Sequence, residues 1–144
     1  MIVASNGYDK TNTTTPPIVP GYTAPSNCSG KAISAGGNFW IGSTFFPGPF
    51  NPLACGEYAS AQTTKNKAVA KSKKASSYTP ANMFNAYQVK KNGQPQGTYC
   101  QLFDTTLDVS WAQFSGSVEA GISFDVSSSW TYSLQVKDTG SLNW

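Results

Sequence analysis

Asp104 and Asp108 flank Thr105-Thr106-Leu107, a spacing that could bring two carboxylates to one site. Such a pair serves glycoside hydrolysis, one acid protonating the leaving oxygen and the other acting as base or nucleophile. The chain contains no His. Other acid–base work therefore falls to Lys or Tyr, and a Ser or Cys nucleophile lacks its usual imidazole base. Asp and Thr clustered after a strand ordinarily bond their own backbone as turn formers. A calcium site at the same carboxylates is a further possibility, but the spacing is not that of an EF-hand. The expectation is a chain that is not an enzyme and needs no cofactor, with a small glycan hydrolase acting through Asp104 and Asp108 as a lesser alternative.

The aromatic residues offer a different chemistry. Trp40 and Trp111 lie in Gly- and Ser-rich stretches with amides close by, Asn38 beside the first and Gln113 beside the second. Flat indole rings stack on the apolar face of a sugar while amides take its hydroxyls. These four residues are the candidate ligand-binding set, although burial in a core would use the two indoles equally well. Phe84, Tyr99, Phe124, Trp130 and Tyr132 fall on alternating strand-like segments and are expected to be mostly buried.

The elements that must position these groups follow from composition and pattern. Charged residues make up 12% of the 144, aromatics 13% and apolar residues 39%. The chain can therefore fold, with a surface dominated by hydroxyls and amides. All ten basic residues are Lys, and five of them lie between Lys65 and Lys74. Without Arg for bidentate phosphate or guanine contacts, this run is expected to be a solvated helix face, not a nucleic-acid site. No apolar run is long enough to span a bilayer. Met1-Ile2-Val3-Ala4 is too short for the core of a signal peptide, yet two sequons, Asn12-Thr13-Thr14 and Asn27-Cys28-Ser29, are the pattern of glycosylated secreted chains. Cys28, Cys55 and Cys100 match no zinc or redox spacing. One disulfide and one leftover thiol are expected, with three pairings open.

Residues 1–30, rich in Thr and Pro, read as an extended arm, either a linker or a segment laid over the domain. Residues 31–144 read as a single α+β domain. A helix is expected at about 52–75, with Thr63-Thr64 as the place where a break would fall: Asn51 caps it, Pro52 opens it, and lysines fall near its end. Ala54, Tyr58, Ala61, Ala68 and Val69 form its apolar stripe. Strands are expected at 83–89 and 98–103, joined by a loop longer than two residues. An irregular excursion follows over 104–120, and then the alternating runs Ile122/Phe124/Val126 and Trp130/Tyr132/Leu134/Val136.

The run Met83-Phe84-Asn85-Ala86-Tyr87, the Lys91-Asn92-Gly93-Gln94-Pro95-Gln96-Gly97 loop, Thr98-Tyr99-Cys100 and the upstream Phe46-Pro47-Gly48-Pro49-Phe50-Asn51-Pro52 resemble a group of secreted fungal domains of apple/PAN-like type. Ser129-Trp130-Thr131-Tyr132 resembles that group's closing strand, so the likeness covers about residues 45–135. It implies a helix packed on a curved antiparallel β-sheet, extracellular or cell-wall placement, and a binding role. Carbohydrate is the first expected partner. Another extracellular protein, as for an effector, elicitor or adhesin, is the alternative. The group has Cys where this chain has Ala81. That departure leaves Cys55 as the expected orphan and Cys28–Cys100 as the preferred disulfide.

Overall fold

The computed structural model of the chain describes residues 16–35 and 37–142, so the sequon at Asn12 lies outside the described residues. The elements are β1 (Ser26–Asn27), β2 (Ala32–Ile33), β3 (Trp40–Pro47), α1 (Pro52–Ser72), β4 (Met83–Lys91), β5 (Gln94–Phe103), β6 (Ala112–Phe114), β7 (Gly116–Glu119) and β8 (Ile122–Ser133). An antiparallel sheet runs in the order β1-β8-β4-β5-β3, with β7 also paired to β8, and β2 and β6 form a separate two-stranded ribbon. Among the described residues one helix lies on the larger antiparallel sheet, which is the expected α+β class. No helix among the described residues is long and apolar enough to cross a membrane.

The helix runs unbroken through Thr63-Thr64. Pro52 occupies its first turn, where a missing N–H costs nothing. Asn51 stands at the N-cap position, but its side chain makes no capping bond, and its own backbone N–H donates to Thr98 Oγ1 at 2.7 Å. The buried face also differs from the expected stripe. Pro52, Cys55, Gly56, Ala59 and Ala70 are buried, whereas Ala61, Ala68 and Val69 are exposed. Small side chains let the helix axis approach the sheet closely, so the contact face carries little hydrophobic signal. The five lysines of Lys65–Lys74 are exposed, as expected of a solvated face, and Lys67 places its ammonium 5.6 Å from the centre of the Tyr78 ring.

Between α1 and the sheet lies the main core, where Phe84 stacks on Tyr132 with ring centres 4.7 Å apart. Tyr22 meets Phe84 edge-on at 4.9 Å. The described part of the arm is laid over the domain. Val19 and Tyr22 are buried in this core, Pro17 accepts a bond from Tyr132 Oη at 2.8 Å, and Ser26–Asn27 enters the sheet as β1. On the opposite face a smaller core of Cys28, Ile33, Met83, Phe103 and Leu107 forms beneath the β2–β6 ribbon.

Three local features depart from the expected strands. The β4–β5 connection is a tight two-residue turn, Lys91 pairing with Gln94. Asn92 and Gly93 both take positive φ, 49° and 81°, the backbone that Asn-Gly adopts readily. The excursion over 104–120 includes β6, β7 and a 3₁₀ turn at Val109–Trp111. The first alternating run and the Trp130/Tyr132 half of the second form one strand that ends at Ser133, leaving Leu134 and Val136 beyond it, but the two parts do not share a face. Gln88 pairs with Ser128 and Val89 with Val126, so Ser127 is an extra residue. The bulge turns Phe124 and Val126 away from the helix while Trp130 and Tyr132 point toward it. Its hydroxyl donates to Gln88 Oε1 at 2.9 Å.

The disulfide joins Cys55 to Cys100, and Cys28 is the free, buried thiol. One bridge and one thiol were expected, but the Cys28–Cys100 pairing is corrected. Cys100 points to the helix side of β5 and Cys55 lies on the buried face of α1. Cys28 follows β1 on the other face of the sheet.

Candidate ligand-binding site

Trp40 opens β3, which is an edge strand. Its partner is Phe103, and Gly42 already pairs with Leu102, so Ile41 is bulged. Ile41 packs against the main core, and Trp40 is left 45% exposed, stacked on no other aromatic ring among the described residues. A cleft lies on each side of the indole.

The larger cleft, 660 Å³, opens toward the helix, and its lining includes Asn38, Trp40, Gln62, Asn66, Lys73 and Tyr78. Gln62 and Asn66 lie four residues apart, hence side by side on the helix. Gln62 Nε2 donates to Asn66 Oδ1 at 2.9 Å, and Asn66 Nδ2 donates to the carbonyl of Thr79 at 3.0 Å. These bonds fix the two amides in the lining of the cleft. Tyr78 Oη donates to the Asp138 carboxylate at 2.7 Å, which holds the ring in place and raises its pKa.

The smaller cleft, 370 Å³, lies over the sheet face opposite the helix, between Trp40, Ser43, Tyr87, Gln101 and Phe114. Gln101 Nε2 is committed to the carbonyl of Ile33 at 3.0 Å. Tyr87 stacks on Tyr99 with planes 11° apart, and Phe45 leans on the other side of Tyr99. Burial first, and the neighbouring Tyr99 second, push the Tyr87 phenol up to about 12, so it is a neutral hydrogen-bonding group throughout the physiological range.

The structure brings Asn38 and Trp40 together in one cleft. It leaves Trp111 and Gln113 elsewhere. Trp111 meets Phe39 edge-on at 5.8 Å, and Gln113 Nε2 donates to the carbonyl of Ser110 at 3.2 Å. Neither lines a cleft beside Trp40. Asp108 accepts bonds from the backbone N–H and hydroxyl of Ser110, which lower its pKa, and so acts as the cap of the 3₁₀ turn. Asp104 lies at the rim of the larger cleft. Asn27 is exposed in β1, and its Oδ1 accepts the N–H of Ser29 at 2.8 Å.

Gln62, Asn66, Tyr78, Tyr87 and Phe114 were not among the expected site residues. The four-residue spacing of Gln62 and Asn66 was a usable signal, but only once the inward face of α1 is known.

No protein-family model, curated protein or solved structure matches this chain.

Proposed function

We propose that the chain is a secreted, non-catalytic carbohydrate-binding module of the extracellular space or cell wall, with Trp40 as its stacking platform. The observation that carries this reading is an indole with no ring partner among the described residues, set in a cleft whose lining includes the amides of Asn38, Gln62 and Asn66. A pyranose laid on Trp40 would meet Asn38, Gln62 and Asn66 at its hydroxyls. The cleft's volume falls within the range of about 300–1,000 Å³ usual for small-ligand sites. The disulfide supports an oxidising destination. Glycosylation at Asn12 and Asn27, a curved sheet and kinship with the fungal apple/PAN-like group belong to the same proposal. The bulges at Ile41 and Ser127 would bend their strands in keeping with it.

The test is retention on insoluble chitin, cellulose and β-glucan, with thermal melting of each variant as control. Trp40→Ala should lose retention and melt within about 2 °C of the parent, whereas Trp111→Ala should keep retention. A folded Trp40→Ala variant that is retained like the parent, or a parent retained by none of the polymers, would sink the assignment.

A further inference from the structure

Trp40 stands where the smaller cleft begins at the edge strand. On the same sheet face, opposite the helix, a third cleft of 340 Å³ follows, bounded by Tyr99, Ser117, Glu119, Phe124 and Asp125. The two have Tyr87 and Phe114 in common. They run from Trp40 on β3 across β5 and β4 to β8 and β7. We infer that these two clefts form a trough that holds an internal segment of a linear, uncharged polysaccharide, several sugar rings long, with Trp40 at one end. The inference rests on the carbohydrate reading of Trp40 and extends it to a substrate class.

Length is the first argument. Crossing from β3 to β8 covers three strand spacings, about 14 Å at roughly 4.8 Å each. A single sugar would occupy one cleft and leave the other wet. Side-chain order is the second. Aromatic groups stand at one end and in the middle, Trp40 at the end and Tyr87 with Phe114 where the clefts meet, and amides or hydroxyls lie beside them at Ser43, Gln101 and Ser117. A chain of pyranose rings presents the same alternation of apolar faces and hydroxyl edges.

Charge is the third argument. Among the described residues no cation lines the trough, whereas Glu119 and Asp125 stand at its far end. A polyanion such as a nucleic acid or an acidic glycan would meet repulsion over its far half. A neutral chain would not.

The experiment is calorimetric titration with two neutral series, N-acetylated chito-oligosaccharides and β-glucan oligosaccharides, each from the disaccharide to the octasaccharide. Affinity should rise at least tenfold between the disaccharide and the hexasaccharide of the series that binds. Ser117→Trp fills the third cleft from an exposed position and should remove that gain while leaving disaccharide affinity within twofold of the parent. Phe114→Ala takes away the ring shared by the two clefts and should lower hexasaccharide affinity more than disaccharide affinity, with a thermal melt to show whether β6 is disturbed. Equal affinity at every length, or loss of disaccharide and hexasaccharide binding alike in both variants, overturns the trough while leaving the Trp40 site standing. No binding at any length removes the carbohydrate reading and the trough together.

Discussion

Asn85 Oδ1 accepts the backbone N–H of Ile33 at 2.9 Å, a bond between residues 52 positions apart in sequence. Gln101 Nε2 takes the carbonyl of the same residue. The two peptide groups of Ile33 are thus paired by side chains standing on β4 and β5, much as a neighbouring strand would pair them. Asn85 is fully buried, and its amide nitrogen is also satisfied, by Ser129 Oγ at 2.9 Å and the Trp130 carbonyl at 3.0 Å. This side-chain ladder holds β2 over the sheet and, through β2, the β6 strand that carries Phe114.

Asn85→Ala should therefore destabilise the domain by about 2–4 kcal/mol, since several buried partners lose their bonds at once. Urea denaturation measures this. A cost below about 1 kcal/mol would mean that water replaces the amide freely and that β2 is not held as described.

Reducing the disulfide, or replacing Cys55 and Cys100 together by Ala, releases a loop of sequence separation 45. Chain-entropy reasoning puts the loss at about 4 kcal/mol. Thiol titration of the unreduced protein should find one thiol, that of Cys28, and only after denaturation, because it is 3% exposed and burial raises its pKa. Two or three thiols in the unreduced, denatured chain would contradict the bridge.

A Cβ at Gly56 would stand 2.7 Å from Val19 Cγ1 and 3.8 Å from both Phe84 and Tyr22. Gly56→Ala gains about 1 kcal/mol of helix propensity, but the stiff, buried valine cannot rotate away, and overpacking costs about 1–3 kcal/mol. Net destabilisation is expected, and pairing the change with Val19→Ala should recover part of it. If Gly56→Ala alone stabilises the domain in thermal melts, the arm does not pack on the helix this tightly.

Stability should be level through neutral pH and fall in alkali. Burial raises the phenol pKa of Tyr22, Tyr87 and Tyr132 above the ordinary 10.0, that of Tyr87 to about 12. In that interval the unfolded chain has released protons that the folded one keeps. The contribution is complete below about pH 10 and is lost as pH climbs through the folded values. Denaturation midpoints at stepwise rising pH, read beside tyrosinate absorbance, check this, and Tyr87→Phe should flatten part of the decline.

Replacing Lys71, Lys73 and Lys74 together by Gln should shift stability by less than about 0.5 kcal/mol, since all three are exposed. A loss of several kcal/mol in chemical denaturation would give them a structural role that the helix face does not show.

The sequence carried the outline of the fold and less of its facing. Asn51-Pro52 and the clustered lysines marked the helix, and period-two runs marked β4, β5 and β8. The side of the helix that would be buried was not legible, because Gly56, Ala59 and Cys55 are chosen for smallness and a hydrophobic pattern gives them little weight. The cysteine partners depend on that same facing, which is why Cys55 was misplaced as the orphan. Trp40 and Asn38 could be joined as site residues because they are neighbours in sequence. Tyr87, Gln62 and Phe114 reach the two clefts beside Trp40 from three distant segments, and only the strand register and the helix face bring them there.

The bulge at Ser127 has a consequence for reading this chain beside any other. Ser127 has no partner in β4, and this extra residue is what lets Phe124 and Val126 face the trough although they are an even number of positions from Trp130 and Tyr132. Removing it would close the ladder with Val126 next to Ser128 and leave Phe124 and Val126 where they are. A one-residue slip that paired Ser127 with Val89 would instead put Ser123 and Asp125 on the trough side, with no residue chemically altered. Register, more than residue choice, sets what this end of the trough displays, and an alignment to a chain lacking the extra residue, made without a gap at this position, would compare side chains from opposite faces.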